Sequence, residues 1–131
     1  MLRGFGVVLS LGLLLYACND KSELKIVQQQ QVRDYTVTLL SETGTIKNGG
    51  SDFTLEFRKA SDKQLVDVSP VDVAPVMEMP GMAPMMGSTT ITPTDTPGRY
   101  NVKCNLSMAG LWKFNLKFGS GLSARINVNA E

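Results

Sequence analysis

Residues 99–118 read RYNVKCNLSMAGLWKFNLKF, and apolar side chains occupy every second position on each side of a short break. The two alternating series are Tyr100, Val102, Cys104 and Leu106, then Trp112, Phe114, Leu116 and Phe118. A period of two is typical of strands with one buried face and one face in water. The break at residues 107–110 contains Gly110 and is predicted to be a hairpin turn.

The same alternation continues through most of the chain on both sides of that stretch. Its apolar members are Tyr35, Val37 and Leu39, then Phe53, Leu55 and Phe57, and finally Leu122, Ala124, Ile126 and Val128. Turn-forming residues separate these runs, and a phase shift at Pro70 predicts a bulge, a bend or an edge crossing. We expect an all-β immunoglobulin-like β-sandwich of about seven strands, with a small barrel as the alternative.

The first 17 residues have the features of an export signal. Arg3 precedes an apolar run that is shorter than the roughly 20 residues of a membrane-spanning helix. Leu15-Tyr16-Ala17-Cys18 then resembles the bacterial lipobox, in which the cysteine sulfur receives a diacylglyceryl group, although Tyr16 is unusual there. We expect a lipoprotein signal peptide at 1–17, lipidated Cys18 with a tether or first strand to residue 31, and the sandwich domain at 32–131. A membrane-spanning anchor is the alternative.

A lipidated Cys18 predicts a protein of the cell envelope, anchored to a membrane by its lipid and facing the periplasm or the exterior. Cys104 then has no partner for an intramolecular disulfide. Both Cys104 and Trp112 are in phase with the apolar members of their strands, so we expect them in the core rather than at a metal site.

The composition argues against two functional classes. The chain has no histidine, which removes the usual general base and every imidazole metal site. No acidic pair stands out either, so we expect no enzyme. After residue 17 the chain has 12 basic residues (13 in all, less Arg3) and 12 acidic ones. This balance predicts no nucleic-acid partner, since nucleic-acid binding depends on clustered Lys and Arg.

One segment departs from the alternation. Residues 76–87 read VMEMPGMAPMMG and contain five of the seven methionines. Their prolines and glycines predict a loop. If the strands run up and down in turn, Met108 in the break at 107–110 lies at the same end of the sandwich as this loop. The same counting places the start of the first strand and the tether at the opposite end, so that the loop points away from the membrane.

Thioether sulfur is soft and neutral, and it binds Cu(I) or Ag(I) without losing a proton. Met79, Met82 and Met85 repeat every three residues, so one turn-rich loop could bring them to a single ion, with Met108 as a further ligand. Met77 and Met86 are weaker candidates, and Met77 continues the strand phase into the core. Two alternatives remain open: a loop that packs over the end of the sandwich, and an adaptable surface for a protein partner.

The segments Met79-Pro80-Gly81-Met82, Pro97-Gly98-Arg99-Tyr100 and Ser107-Met108-Ala109-Gly110-Leu111-Trp112 together resemble the YtkA-like family and its FixH-like relatives. The similarity runs from about Tyr35 to Phe118; the turn at 49–51 and Cys104 depart from it. The resemblance implies a small immunoglobulin-like envelope domain, often a lipoprotein, with some relatives linked by context to copper handling, oxidase maturation or metal efflux. It also implies that Met79, Met82, Met85 and Met108 are the recurrent sulfur positions.

We therefore expect a non-enzymatic envelope lipoprotein that binds Cu(I) or Ag(I) through its methionine-rich loop for metal buffering, transfer or efflux. The alternative is a protein-interaction module of an envelope efflux or oxidase-assembly complex that binds no metal.

Overall fold

The computed structural model describes residues 23–131, which form two antiparallel β-sheets packed face to face. The strands are β1 (Lys25–Val32), β2 (Tyr35–Ser41), β3 (Gly49–Lys59), β4 (Val71–Met77), β5 (Met85–Met86), β6 (Ser88–Pro93), β7 (Arg99–Leu106), β8 (Gly110–Phe118) and β9 (Leu122–Ala130). One sheet has the order β1-β2-β3-β7-β6 and the other β5-β4-β8-β9. The all-β sandwich is therefore confirmed. The predicted signal peptide and Cys18 lie outside the described residues.

The core consists of the alternating residues that the sequence marks. Phe57 of the five-stranded sheet packs on Phe118 of the other sheet with ring centroids 5.0 Å apart, and Phe53 packs on Phe114 at 5.6 Å. Trp112 is fully buried and Cys104 is 4% exposed, so both predicted core positions are confirmed. Burial of this apolar surface is the main force that holds the two sheets together.

The sandwich has nine strands rather than about seven, because two strands carry no alternating signal. β1 contains four consecutive glutamines, Gln28–Gln31, and only Val27 and Val32 pack partly against the core from this edge strand. β5 has two residues and pairs with Val76 and Met77. β1 begins at Lys25, within the stretch 18–31 for which a tether or first strand is expected. The phase shift at Pro70 lies where residues 60–70 pass from β3 in one sheet to β4 in the other, and both are inner strands, so the crossing is between sheets and not at an edge.

The turn at residues 107–110 is not a hairpin. β7 is already paired on both sides, with β3 and β6, and β8 is paired with β4 and β9. The connection therefore crosses from one sheet to the other as an arch. Alternation alone did not reveal this, because each strand buries every second residue whether its neighbour lies in the same sheet or in the facing one.

The two ends of the sandwich differ in which connections they carry. The methionine end holds the loop at residues 78–84, the turn at 107–109 and the connection at 42–48, which follow β4, β7 and β2. The far end holds the turns at 33–34, 94–98 and 119–121 and the segment 60–70. β1 pairs antiparallel with β2, with Lys25 opposite Ser41 and Val32 opposite Tyr35. Since β2 runs towards the methionine end, β1 starts on that side, and the prediction that the first strand starts at the opposite end is wrong.

A cluster of hydrogen bonds to the Asp67 carboxylate stabilises the far end. The Tyr100 hydroxyl donates to Asp67 Oδ1 at 2.8 Å, and the Ser69 backbone amide and hydroxyl donate to the same oxygen at 3.0 and 2.8 Å. The hydrogen bond from the Ser69 amide, followed by those from the two hydroxyls, holds the pKa of Asp67 below its ordinary value. The cluster links residues 67–69 to β7 and so closes this end of the sandwich.

We expect the free energy of unfolding to fall as the pH drops below about 4, because a carboxylate with a lowered folded-state pKa stabilises the fold only while ionised. Asp67→Asn should make this acid dependence shallower, measured by urea unfolding between pH 3 and 6. Asp95→Asn removes a charge from another turn at the same end and should leave the slope unchanged. Equal slopes for wild type and Asp67→Asn would contradict the role given to Asp67.

Candidate functional site

Two connections from different parts of the chain meet at the methionine end. The loop at 78–84 leads into β5, and the arch at 107–109 joins β7 to β8. They touch where the Ser107 hydroxyl donates to Met85 Sδ. This contact confirms that the methionine-rich loop and the segment carrying Met108 lie at one end of the sandwich.

A β-turn shapes the first half of the loop. The Met82 amide donates to the Met79 carbonyl at 3.1 Å, with Pro80 and Gly81 between them. Pro80 suits the second position of a type II turn, and Gly81, at φ +74°, supplies the positive φ of the third. Met79 packs partly against the core, whereas Met82 is 70% exposed. The turn therefore keeps one methionine against the domain and the other in solvent.

The strand register separates the remaining methionines of the segment. Met77 and Met85 lie opposite each other in β4 and β5, so their side chains share the inner face. Met77 is 7% exposed, which confirms its predicted inward orientation, and Met85 is half-buried against the core. Met86, the next residue of β5, is 69% exposed. Met77 is thus part of the core and Met86 part of the surface.

Both ends of the loop are held by close packing. Met77 Cε lies 2.9 Å from the position that a Cβ at Gly110 would occupy. At the other end, the Gly87 amide donates to the Pro75 carbonyl at 3.0 Å. A Cβ on Gly87 would lie 2.9 Å from Leu106 Cδ2 and 3.0 Å from the Asn105 carbonyl oxygen. Only glycine fits there, where the chain passes from one sheet to the other.

The buried Trp112 positions the arch. Its indole Nε1 donates to the Met108 carbonyl at 3.0 Å, which satisfies the indole N–H and holds the backbone of the turn. The Met108 side chain is 39% exposed. Trp112 therefore acts as a core residue that orients the backbone at Met108.

The four predicted ligands lie at one end of the molecule in two kinds of environment. Met79 and Met85 are half-buried, whereas Met82 and Met108 are exposed. Met79 and Met82 share one β-turn, and Met85 touches the arch that carries Met108. Sequence reasoning missed Ser107, because a serine in a turn carries no signal for a contact with a sulfur atom 22 positions earlier.

Other potential metal ligands contribute little at this end. Within residues 23–131 no group of three His, Cys, Asp or Glu side chains is arranged to hold a metal. Glu78 is paired with Lys113, Oε2 to Nζ 2.9 Å, and the hydrogen bond from Lys113 lowers the pKa of Glu78. Burial raises the pKa of the Cys104 thiol, which disfavours the thiolate that metal binding requires. The methionine thioethers are therefore the potential metal ligands that distinguish this end.

Comparisons with known proteins place the domain. The profile described as YtkA-like matches residues 29–117. No curated protein matches the chain. Among solved structures, the chain is similar to the crystal structure of the Lin-41 filamin domain, with a TM-score of 0.50 and 14% identity over 79% of this chain and 98% of that one. This likeness shows the immunoglobulin-like fold alone. The described part of the chain has no helix long and apolar enough to span a membrane.

The structure predicts different roles for Met77 and Met82. Met77→Ala should lower the free energy of unfolding by about 2 kcal/mol or more, because it leaves a cavity at the end of the core. Met82→Ala, at an exposed loop position, should change it by less than about 0.5 kcal/mol. Urea unfolding of the two variants checks this; similar losses would mean that the whole loop acts as a structural plug.

Proposed function

We propose that this chain, which belongs to the YtkA-like family, is a non-enzymatic lipoprotein of the cell envelope that binds Cu(I) or Ag(I) for buffering, transfer or efflux. The proposed ligands are the thioethers of Met79, Met82, Met85 and Met108. The contact between Ser107 and Met85 carries the proposal, because it joins the methionine-rich loop to the arch that bears Met108. The proposed anchor is a diacylglyceryl group on Cys18, after removal of residues 1–17.

The arrangement suits an ion that arrives and leaves. Met82 and Met108 are exposed and can meet an incoming ion, whereas Met79 and Met85 pack partly against the domain and provide a fixed side. Methionine side chains are flexible, so small adjustments can bring sulfurs from both connections to one soft cation. A site built from neutral thioethers, without thiolate or imidazole, favours exchange over permanent retention.

The direct test is titration of the full-length lipoprotein in detergent with Cu(I) under reducing, anaerobic conditions against a competing chromophoric chelator. Substitution of Met79, Met82 and Met85 together by Leu should abolish uptake, since leucine keeps the apolar volume but has no sulfur. The fold should survive, because such volume-conserving exchanges cost less than about 1.5 kcal/mol each.

Two matched variants serve as controls for this titration. Met86→Leu removes an exposed sulfur outside the proposed site and should retain uptake. Cys104→Ala removes the buried thiol and should retain it as well. Undiminished uptake by the triple variant would refute the thioether site, and loss of uptake in Cys104→Ala would place the metal in the core instead.

The pH dependence of uptake distinguishes these two kinds of ligand. A thioether has no proton to lose, so Cu(I) affinity should stay constant between pH 5.5 and 8. A site that used Cys104 would release a proton on binding and strengthen as the pH rises, because burial raises the pKa of that thiol. Isothermal titration in buffers of different ionisation enthalpy measures the protons released, and a value near one would contradict the proposal.

A second function has one observation in its favour. Met82, Met86, Met108 and Leu111 are exposed large apolar residues, as expected for a surface that docks an envelope efflux or oxidase-assembly protein. Such a module would take up no Cu(I), and it would lose a specific partner when Met82 and Leu111 are replaced by Ser. The titration described above separates the two functions.

A further inference from the structure

We propose that the methionine end of the domain faces the membrane that holds the lipid anchor, and that Met82, Met86, Met108 and Leu111 contact the lipid interface. The inference rests on the lipid anchor of the proposed function, and it shares Met82 and Met108 with the proposed metal site, so lipid contact and an incoming ion compete for these two side chains. The bilayer is the partner that we propose for this apolar surface. Three arguments support it. They are the direction in which the chain enters β1, the position of the exposed apolar side chains, and the energetics of a surface that an anchor holds beside the membrane.

The direction of the chain gives the first argument. β1 runs from Lys25, opposite Ser41 at the end of β2, to Val32 at the far end. A chain that enters β1 therefore comes from the side of the methionine end. Six residues lie between Cys18 and Lys25, and the seven steps from one to the other span at most about 25 Å when extended. A lipid on Cys18 thus holds the domain close to the membrane surface, with the methionine end on the side from which the chain arrives.

The distribution of exposed apolar residues gives the second argument. Within residues 23–131 the exposed large hydrophobic side chains are Met82, Met86, Met108, Leu111, Leu24 and Ile26. The first four belong to the methionine end, and the last two lie where the chain enters β1. The far end carries charged, polar and glycine residues in its turns, such as Arg33-Asp34, Asp62-Lys63 and Gly119-Ser120-Gly121. The exposed large apolar side chains thus lie towards the methionine end, where the chain arrives, and they share this end with the polar connection 42–48 between β2 and β3.

The charges near this surface are compatible with an interface. Lys113 lies on β8 beyond Leu111, and it is paired with Glu78. The pair presents no net charge next to the apolar residues. Leu111 is 55% exposed on the outer side of β8, and Met86 is 69% exposed on β5 of the same sheet. The apolar surface thus extends from the loop and arch onto the outer face of the four-stranded sheet.

A lipid anchor also changes how much affinity this surface needs. A few methionine and leucine side chains would not hold a free domain on a bilayer, since each buried methylene contributes only about 0.8 kcal/mol. Once an acyl anchor holds the domain beside the membrane, contact is intramolecular and the effective concentration is high. A weak apolar surface is then sufficient to set the orientation.

The test uses the full-length lipoprotein reconstituted into vesicles of phosphatidylethanolamine and phosphatidylglycerol that contain no other protein. Variants with one added cysteine carry the label. Met82→Cys and Leu111→Cys report on the methionine end, and Ser120→Cys reports on the far end. Each is labelled with an environment-sensitive fluorophore; Cys104 is buried and does not compete in the folded protein. We expect lipids with a nitroxide near the headgroup to quench the labels at 82 and 111 several-fold more than the label at 120.

The outcomes separate the inference from the rest of the proposed function. Equal quenching at both ends, or stronger quenching at position 120, would overturn the orientation. A wild-type chain without a diacylglyceryl group by mass spectrometry would overturn the anchor and the orientation together. Quenching at 82 and 111, together with no Cu(I) uptake by the wild-type chain, would support the orientation and refute the metal site. Dimers that protect both labels from lipid quenching would assign the surface to a second copy.

Discussion

The contact between the inner faces of the two sheets is the interaction on which the structure depends. Phe53 and Phe57 meet Phe114 and Phe118 across the sandwich, and Trp112 fills the methionine end of the same layer. Each large side chain buried in this way contributes on the order of 1.5–3 kcal/mol. The cysteine of the described residues, Cys104, is buried and unbonded, so packing and not a cross-link holds the described domain together.

The sequence predicted the buried faces of the strands well and their connections less well. Period-two alternation marks an inner residue wherever a strand packs on the other sheet, so Val102, Trp112 and Ile126 were identified correctly. The residues of β1 were expected to form either a tether or a first strand, and the strand was left out of the count because its glutamines lie on an edge that buries little. Omission of β1 reversed the direction in which the chain was expected to enter the domain. The connection at 107–109 was predicted as a hairpin because alternation does not indicate which sheet a strand joins.

For the candidate site, the residue types and the inward orientation of Met77 were predictable, whereas the environments of the other methionines were not. The excess of methionine and the absence of histidine pointed to thioether chemistry, and counting strands brought Met108 to the same end as the loop. The difference between half-buried Met85 and exposed Met86 depends on the two-residue strand β5, which exists only through its pairing with Val76 and Met77. The partner of Met85, Ser107, depends on how the arch crosses between the sheets.

The packing at Met77 and Gly87 has a consequence for how such a domain can evolve. These two residues fasten the loop to the frame through the Gly110 region on one side and Leu106 with Asn105 on the other. Neither attachment involves the exposed Met82 or Pro84, so these loop positions are decoupled from the integrity of the frame, whereas Met79 and Met85 pack partly against it. Substitutions between the two attachments can exchange one set of displayed side chains for another without refolding the scaffold, much as antibody frameworks accept new loop sequences.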